Sequence, residues 1–589
     1  MSYFQASPKY PKFVVILLLS FTMDFGFTEA STICNTNKQP TPLISFLEKL
    51  QQTGHTTYGD SKAFDPKYFM DVSLKFNLVK TIEAFDKLPK LNNGSVSVHD
   101  FERFSNNFLN KPGSDLVYHE PEDFVPEPVG FLPNVENAEV RAWALEVHSL
   151  WKNLSRRVAD GVVENPELHT LLPLPKPVII PGSRFLEIYY WDSYWVIRGL
   201  LVSKMYKTAK SIVHNLISLI DEYGYVLNGA RAYYSNRSQP PLLSSMVLEI
   251  YKKTHDLALV KQSLPALLKE HQFWNSGIHK VIIQDGDKGS NYTLSRYFAM
   301  WNKPRPESST IDKETASKLL NVSEKQHLYR ELASTAESGW DFSTRWMRNH
   351  TDLTTLSTTS IVPVDLNAYI LKMELDIVFL AKTVGDKCIA EQFLKASEAR
   401  GDAMNSVFWN DKKGQWLDYW LTHSNKCEEV HRWDARKQNQ NTYASNFIPV
   451  WIELFNSDKV IVKKLKRSLQ ESGLLCDAGI ATSLINSGQQ WDFPNGWAPV
   501  QHMIVEGFAR SGLKDARSMA EDIAVKWLKT NYAAYKKTGT MHEKYDVESC
   551  GAVGGGGEYI PQTGFGWTNG VALAFLEEFG WPQNRSIDC

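Results

Sequence analysis

Apolar residues recur at helical spacing along most of the chain, and this pattern predicts a largely helical protein. Between residues 138 and 163, apolar side chains fall three or four positions apart, as they do on one face of a helix. His279–Gln284 and Tyr292–Tyr297 flank a turn sequence and predict a small β-hairpin. The helical spacing continues at Val196–Tyr223, Leu242–Lys253, Val260–Trp274, Leu366–Thr383, Ala390–Phe408, Lys459–Ser472, Val500–Ser511, Leu513–Lys529 and Gly570–Phe579.

The succession of these stretches predicts an all-α toroid of paired helices with a few short β-hairpins. Arginines, carboxylates, aromatic residues and glycines cluster in the loops between the helices. No short repeat of the solenoid kind is found. Residues 31–135 are more polar and proline-punctuated, so we expect an N-terminal helical arm there. Residues 136–582 are the expected toroid domain, followed by a C-terminal tail at residues 583–589.

Residues 1–30 have the pattern of an export signal. Lys9 and Lys12 precede an apolar core, Phe13–Met23, and small residues follow it. This core is shorter than the roughly 18 apolar residues of a membrane span, which favours a cleaved signal peptide over an uncleaved membrane anchor. We therefore expect a secreted, extracellular protein, or one anchored in the plasma membrane with its folded domain outside.

The sequons and cysteines fit export. The six cysteines are dispersed without a C-x-x-C pair, so a zinc cluster is not expected, whereas disulfides are compatible with an exported chain. N-glycosylation sequons begin at Asn93, Asn153, Asn236, Asn291, Asn321, Asn349 and Asn584.

The composition of the chain argues against nucleic acid as a binding partner and favours carbohydrate. The chain of 589 residues has a net charge of -2, which provides no basic groove for nucleic acid. Aromatic residues make up 12% of the chain and include 18 Trp, an excess that suits a carbohydrate enzyme.

The stretch Pro181–Trp195 sets one arginine and two carboxylates among six aromatic rings. Charged groups form strong hydrogen bonds with hydroxyls, and aromatic faces support the C–H faces of sugars. A sugar site is one interpretation. The other is a buried turn whose charges pair with one another, as buried charges usually do.

Two further clusters carry candidate catalytic carboxyls. Asp341 lies between Trp340 and Phe342, and an apolar surround would raise its pKa, as a general acid requires, although aspartate is also a common helix cap. Glu543 lies in the second cluster, Tyr535–Trp567, and is a candidate base. His542-Glu543 resembles the start of H-E-x-x-H, but residue 546 is aspartate, so we expect no metal.

Several other loops mix arginine with amides, carboxylates and glycine. The glycine run before Glu558 predicts either a flexible loop or a close backbone approach to a ligand, and we expect Gly551–Tyr559 to close as a lid. A solvated arginine is the default for any single loop, but several such loops between helices favour a shared site. The arginine and amide loops are Asn228–Arg231, Arg237–Pro241, Lys303–Ser308 and Gln489–Pro499.

At this point the motifs resemble those of a known family. P-G-S-R-F-x-E-x-Y-Y-W-D-S-Y and Q-W-D-F-P-N-G-W-A-P are similar to the two signatures of the trehalases, glycoside hydrolase family 37, and the resemblance runs from about residue 40 to 582. The intervening stretches look most like the plant trehalases. Ser183 and Leu186 depart from the usual first signature, but neither is an expected site residue.

The resemblance implies an (α/α)6 toroid that hydrolyses α,α-trehalose to two glucoses with inversion and without a cofactor. It implies Asp341 as general acid and Glu543 as general base. The implied substrate contacts are Arg184, Trp191, Asp192, Asn228, Arg237, Ser238, Gln239, Arg305, Pro306, Glu307, Gly339 and Glu558. Trehalose is the expected small-molecule partner, with no nucleic acid and no metal.

Inversion leaves room for a water, so we expect the two catalytic carboxyls to lie about 6.5–9.5 Å apart. Two alternatives remain open from the sequence. One is another toroid α-glucosidase that acts on longer glucosides, which would need an open cleft. The other is a secreted sugar-binding protein without turnover. The absence of a G-x-S-x-G motif argues against a serine hydrolase.

Overall fold

The computed structural model describes residues 38–59, 64–92, 94–286, 289–422 and 430–589. The predicted signal segment at residues 1–30 and the sequon at Asn93 lie outside these residues. None of the helices within the described ranges has both the length and the apolar character that a membrane crossing requires.

Helices dominate the structure, and the strands are short. Helices α1–α4 form the arm and span Pro42–Tyr58, Pro66–Met70, Leu78–Asp86 and Val98–Phe108. Helices α5–α19 span Ala138–Leu154, Asp160–Glu164, Asp192–Val202, Tyr206–Tyr223, Leu243–Thr254, Leu257–Trp274, Ser309–Ala316, Val322–Glu337, Val364–Val384, Lys387–Val407, Glu453–Asn456, Lys459–Glu471, Ala498–Arg510, Lys514–Thr538 and Gly566–Phe579.

The strands pair into small sheets of two or three. Strands β1–β14 span Ser73–Leu74, Leu109–Asn110, Leu116–Tyr118, Ser155–Val158, Val178–Ile179, Lys280–Asp285, Ser290–Ser295, Ile361–Val362, Trp409–Asn410, Gln415–Trp416, Tyr419–Trp420, Val430–Arg432, Asn495–Trp497 and Lys544–Asp546. The predicted hairpin is confirmed, since β6 and β7 pair antiparallel with Lys280 opposite Ser295. Strand β12 adds to this hairpin in parallel.

Six helical segments form a closed inner ring. Helix α7 contacts α9, α9 contacts α13, and α13 contacts the 3-10 helix Ala444–Trp451. That segment contacts α17, α17 contacts α19, and α19 returns to α7. Helices α5, α8, α10, α14, α16 and α18 pack outside this ring. The described helices thus form the predicted all-α toroid.

Burial explains which helices form the inner ring. Nearly every residue of α7, α17 and α19 is buried, because each is covered by ring neighbours on both sides and by an outer helix. Outer helices such as α16 bury only one stripe. An apolar stripe on one face is the usual pattern of a helix with a solvent-exposed side.

The ring closes where two glycines let α7 and α19 approach. A Cβ atom added to Gly570 would lie 1.9 Å from the Trp195 carbonyl oxygen, and one added to Gly199 would lie 2.7 Å from the Gly570 Cα. No larger side chain fits at this crossing without moving the backbones apart. The first and last inner helices are therefore in direct backbone contact.

Two predicted helices are wrong in extent. Val196–Tyr223 is not one helix, because α7 ends at Val202 and Lys204 adopts a φ of 59° before α8 begins at Tyr206. The stretch 138–163 is not one helix, because α5 ends at Leu154, β4 then pairs with β3 and β5, and α6 begins only at Asp160. Apolar residues keep their helical spacing across both breaks, so the ends of α5 and α7 could not be predicted from this spacing.

The arm and the tail both pack against the toroid domain. Helix α1 contacts α11, and the buried Gln51 side chain donates a hydrogen bond to the Pro306 carbonyl oxygen at 2.9 Å. In the tail, Cys589 forms a disulfide with Cys550. Cys388 and Cys476 are free thiols. The division into arm, toroid domain and tail stays a prediction.

Candidate active site

A cavity of about 730 Å³, including its mouth, lies at the end of the toroid where the inner helices begin. Its walls come from the loops that lead into α7, α9, α13, α17 and α19. Loops that converge at one end of a rigid ring can bring residues that are distant in sequence to one place.

Most of the predicted site residues line this cavity. Those that do are Arg184, Trp191, Asp192, Asn228, Arg237, Gln239, Arg305, Glu307, Gly339, Asp341, Glu543 and Glu558. Ser238 and Pro306 lie outside the lining set. The Ser238 hydroxyl instead donates to the Val226 carbonyl oxygen at 2.6 Å, and the Pro306 carbonyl oxygen accepts from Gln51.

Asp341 follows the end of α12 in a loop that other loops hold in place. The Gln490 side chain donates to its backbone carbonyl oxygen, and the Trp491 N–H donates to the Phe342 carbonyl oxygen at 3.0 Å. Burial raises the pKa of Asp341 to about 7, although the charge of Arg305 opposes this shift. The Asp341 carboxyl therefore retains its proton over much of the mildly acidic range.

Glu543 is the second buried carboxyl, and it accepts hydrogen bonds on both oxygens. Tyr559 Oη donates to Oε1 at 2.7 Å, and the Gln562 N–H donates to Oε2 at 3.2 Å. Burial raises the pKa of Glu543, while the charge of Lys544 and these two donors oppose the rise. The Glu543 surroundings thus favour the charged form more than an apolar pocket would.

Asp192 is a further carboxyl of the cavity wall. It lies at the first turn of α7, and burial raises its pKa well above the ordinary value, with further contributions from the nearby Glu543 and Asp341. Like charges confined together cannot all ionise. A neutral Asp192 can donate a hydrogen bond to a ligand hydroxyl.

Two of the cavity arginines, Arg237 and Arg305, each pair with a buried carboxylate. Arg237 Nε donates to Asn228 Oδ1 at 2.7 Å, and its Nη2 lies 2.5 Å from Glu307 Oε1. Arg305 Nη2 lies 2.7 Å from Asp312 Oδ1 and 2.8 Å from Glu558 Oε1. The default expectation of solvated arginines is wrong for these positions.

The charges of Pro181–Trp195 divide between the two interpretations made from the sequence. Glu187 is fully buried beneath the site, where it pairs with Lys67 Nζ at 2.8 Å and Arg231 Nε at 2.7 Å. Arg184 and Asp192 instead reach the cavity. One carboxylate of the stretch is therefore structural, and the other lies where a ligand would bind.

Tryptophan rings form one wall of the cavity. Trp491 stacks between Trp340 and Trp497, with ring centroids 5.1 and 4.1 Å away. Trp191 and Trp567 meet edge to face at 5.9 Å. Gly339, with a φ of 73°, makes room for Trp191, since an added Cβ would lie 2.8 Å from Cζ2 of that ring.

The glycine run packs against a neighbouring loop. The Gly557 N–H donates to the Gly488 carbonyl oxygen at 3.2 Å, and a Cβ on Gly556 would lie 2.4 Å from that same oxygen. Close backbone approach was one of the two expectations, but its partner here is protein. The lid role of Gly551–Tyr559 stays a prediction.

Among the residues that reasoning from the sequence missed are three polar ones around Asp341 and Glu543, of which Tyr559 and Gln490 line the cavity. Tyr559 donates to Glu543, Gln490 donates to the Asp341 backbone, and the Lys544 ammonium donates to Gln490 Oε1 at 2.9 Å. Burial lowers the pKa of Lys544 to about 8, although the nearby carboxyls Glu543 and Asp341 raise it. All three lie inside or beside the quoted motifs, which was the available signal.

Within the described ranges, no group of three or more histidines, cysteines and carboxylates could hold a metal ion. The cavity offers instead five carboxyl residues, two of them paired with arginines, together with aromatic faces. This set of groups can bind a hydroxyl-rich ring and move protons to and from it.

Comparison with known proteins assigns a family. Residues 61–580 match the family model described as Trehalase. The chain is 58% identical to "Trehalase" of Arabidopsis thaliana over 93% of this chain and 88% of that protein. It is 37% identical to "Trehalase" of Homo sapiens over 88% of this chain and 86% of that one. This order agrees with the predicted similarity to the plant proteins.

The fold also matches a solved structure. "Neutral trehalase Nth1 from Saccharomyces cerevisiae" superposes with a TM-score of 0.59 at 23% identity, and the alignment covers 75% of this chain and 94% of the other. The shared fold supports the toroid described above.

The contact between Gly339 and Trp191 gives the first prediction. Gly339→Ala and Gly385→Ala both place alanine at a positive φ, which costs roughly 1–2 kcal/mol. Only the first creates a clash, because nothing lies within 4 Å of a Cβ at Gly385. Overpacking should add about 1–3 kcal/mol of destabilisation. Urea unfolding followed by tryptophan fluorescence should therefore show a lower midpoint for Gly339→Ala, and equal midpoints would contradict the packing.

Proposed function

The chain belongs to the trehalase family and hydrolyses α,α-trehalose to glucose, and we propose that it does so with inversion, using Asp341 as general acid and Glu543 as general base. The observation that carries this proposal is the contrast between two carboxyls of one cavity. Burial raises the pKa of both carboxyls, to about 7 for Asp341, but the charge of Lys544 and two hydrogen-bond donors oppose the rise at Glu543. Opposite protonation states are what acid and base require.

In the proposed reaction, Asp341 donates its proton to the oxygen that bridges the two glucose rings. The bond from C1 of one ring to this oxygen breaks, while a water attacks C1 from the opposite face. Glu543 takes a proton from that water as the new C–O bond forms. One glucose leaves with its α configuration retained, and the attacked ring becomes β-glucose.

The remaining cavity residues are proposed to bind the sugar. Arg237 and Arg305 are held by buried carboxylates, so their unused N–H groups point in fixed directions at ligand hydroxyls. The tryptophan wall offers flat faces to the rings. We retain Arg184, Trp191, Asp192, Asn228, Gln239, Glu307, Gly339 and Glu558 as further proposed contacts, since each lines the cavity.

Family membership favours trehalose over the two alternatives left open by the sequence. A glucosidase for longer chains would need a cleft, and a non-catalytic binder would have no use for a proton donor and a proton acceptor in one cavity. Ser238 and Pro306 are proposed only as backbone supports of Arg237 and Arg305, their neighbours in the chain.

We propose further that the chain is exported, as the signal pattern of residues 1–30 predicts. Support comes from the sequons, because Asn153, Asn291, Asn321, Asn349 and Asn584 are exposed. Asn236, in contrast, is 2% exposed in a loop beside the cavity, where a glycan would not fit.

The roles of the two carboxyls give a test of mechanism. Asp341→Asn should lower kcat for trehalose roughly 10²–10⁴-fold, because an amide cannot protonate the bridging oxygen. Trehalose binding measured by calorimetry should persist, and the exposed Asp522→Asn serves as control. NMR at early times should show α- and β-glucose in equal amounts from the unmodified enzyme. Two α-glucoses, or an active Asp341→Asn, would refute the assignment.

The buried lysine gives a test of pH dependence. Turnover needs Glu543 ionised and Asp341 protonated, so the rate should rise as Glu543 loses its proton and fall as pH passes about 7, where Asp341 loses its own. Lys544 lowers the pKa of Glu543. Lys544→Met should therefore move the acidic limb of kcat/KM to higher pH, whereas the exposed Lys412→Met should not. If the acidic limb of Lys544→Met stayed in place or moved to lower pH, the result would contradict the effect of the Lys544 charge on the pKa of Glu543.

Export is tested on protein secreted by eukaryotic cells. N-terminal sequencing should find residues 1–30 removed, and glycopeptide mapping should find glycans among the five exposed sequons but not at Asn236. A chain that carries its first thirty residues and no glycan would be incompatible with the export hypothesis.

A further inference from the structure

We propose that Asp65, in the N-terminal arm, is a positioning residue for trehalose because it holds the Arg184 guanidinium in the cavity wall. This inference rests on the proposed contact between Arg184 and the sugar. The arm lies far from the catalytic motifs in sequence, and Asp65 itself is not among the cavity-lining residues.

The pairing between the two side chains is bidentate. Arg184 Nε donates to Asp65 Oδ2 and Arg184 Nη2 donates to Asp65 Oδ1, each at 2.7 Å. Two parallel N–H···O bonds fix both the position and the plane of a guanidinium, which a single contact does not. The remaining N–H groups of Arg184 are thus directed by a residue outside the toroid domain.

The exposure of the two side chains shows which partner depends on the other. The Asp65 side chain is 37% exposed, whereas that of Arg184 is 15% exposed. Asp65 could be solvated by water without Arg184. Arg184, with its long flexible chain, would lose the carboxylate partner that Asp65 provides and would sample other rotamers in the cavity mouth.

Arg184 in turn touches the surroundings of the proposed base. Its guanidinium lies 4.6 Å from the ring centroid of Tyr559, whose hydroxyl donates to Glu543 Oε1 at 2.7 Å. Its backbone N–H donates at 3.1 Å to the side chain of Gln562, whose own N–H donates to Glu543 Oε2. Correct placement of Arg184 therefore supports both the sugar-binding wall and the residues around Glu543.

Asp65 also has a structural role, and the experiment must separate this role from the positioning of Arg184. It is the N-cap of α2, where Oδ1 accepts from the Lys67 N–H at 3.0 Å. Serine is also a preferred N-cap, but its side chain is shorter and carries one oxygen. Asp65→Ser therefore preserves the cap and removes the bidentate carboxylate.

The expected result is a rise in KM with little change in stability. Ordering one long side chain on binding weakens affinity by about 3- to 10-fold, and KM for trehalose should rise in Asp65→Ser by that factor with a smaller change in kcat. Asp65→Asn, which keeps the shape but loses the charge, should be intermediate. The matched control is Asp86→Ser, since Asp86 forms an exposed pair with Lys49 in the same arm.

A double-mutant cycle with Arg184→Ala distinguishes positioning from a general effect on folding. If Asp65 acts through Arg184, Asp65→Ser should change KM little further in the Arg184→Ala background. Equal factors in both backgrounds, or an unchanged KM in Asp65→Ser and Asp65→Asn, would overturn the inference. A normal KM in Arg184→Ala would instead remove the proposed sugar contact itself, so the two failures are distinguishable.

Discussion

Pairing of buried charge is the constraint on which this structure depends. A ring of helices with a polar cavity must take guanidinium groups out of water, and each needs carboxylate partners to offset its desolvation. Arg345, directly after the Asp341 loop, is fully buried and pairs with Asp365 at 2.7 Å and Asp418 at 2.8 Å. Asp365 lies in the first turn of α13, so this pair ties the loop to the inner ring.

The same constraint gives the side chains of the site protein partners in the absence of a ligand. Side chains that are already bonded to protein partners lose little further freedom when a sugar binds, and their dipoles need not reorient. Asp492 extends this support, because its carboxylate accepts from the Ser343 hydroxyl and the Thr344 N–H, both at 2.9 Å. The loops at the cavity mouth thus contact one another through buried hydrogen bonds, and the inner helices lie beneath them.

The fold class was predictable from the sequence. All but two of the site residues named from the sequence line the cavity, because the loops that form the site coincide with long sequence motifs. The sequence did not predict their partners. Asp65 and Asp312 pair with Arg184 and Arg305, but Asp65 lies in the arm, distant along the chain, and neither falls in a motif. The break at Lys204 was missed because apolar spacing runs through it. The sequence also did not show that Ser238 lies outside the cavity lining, where its hydroxyl donates to the Val226 carbonyl oxygen.

The contact of Gly199 with Gly570 has a consequence for how the protein is made. Helix α7 precedes most of the toroid domain and α19 comes near its end, so the inner ring stays open until almost the whole chain has been synthesised. During that time the face of α7 that packs against α19 has no final neighbour. Contacts between such distant parts of a chain form slowly, and exposed apolar surface invites aggregation. Closure of the ring therefore joins an early and a late part of the chain, and the α7–α19 contact is expected to form late in folding.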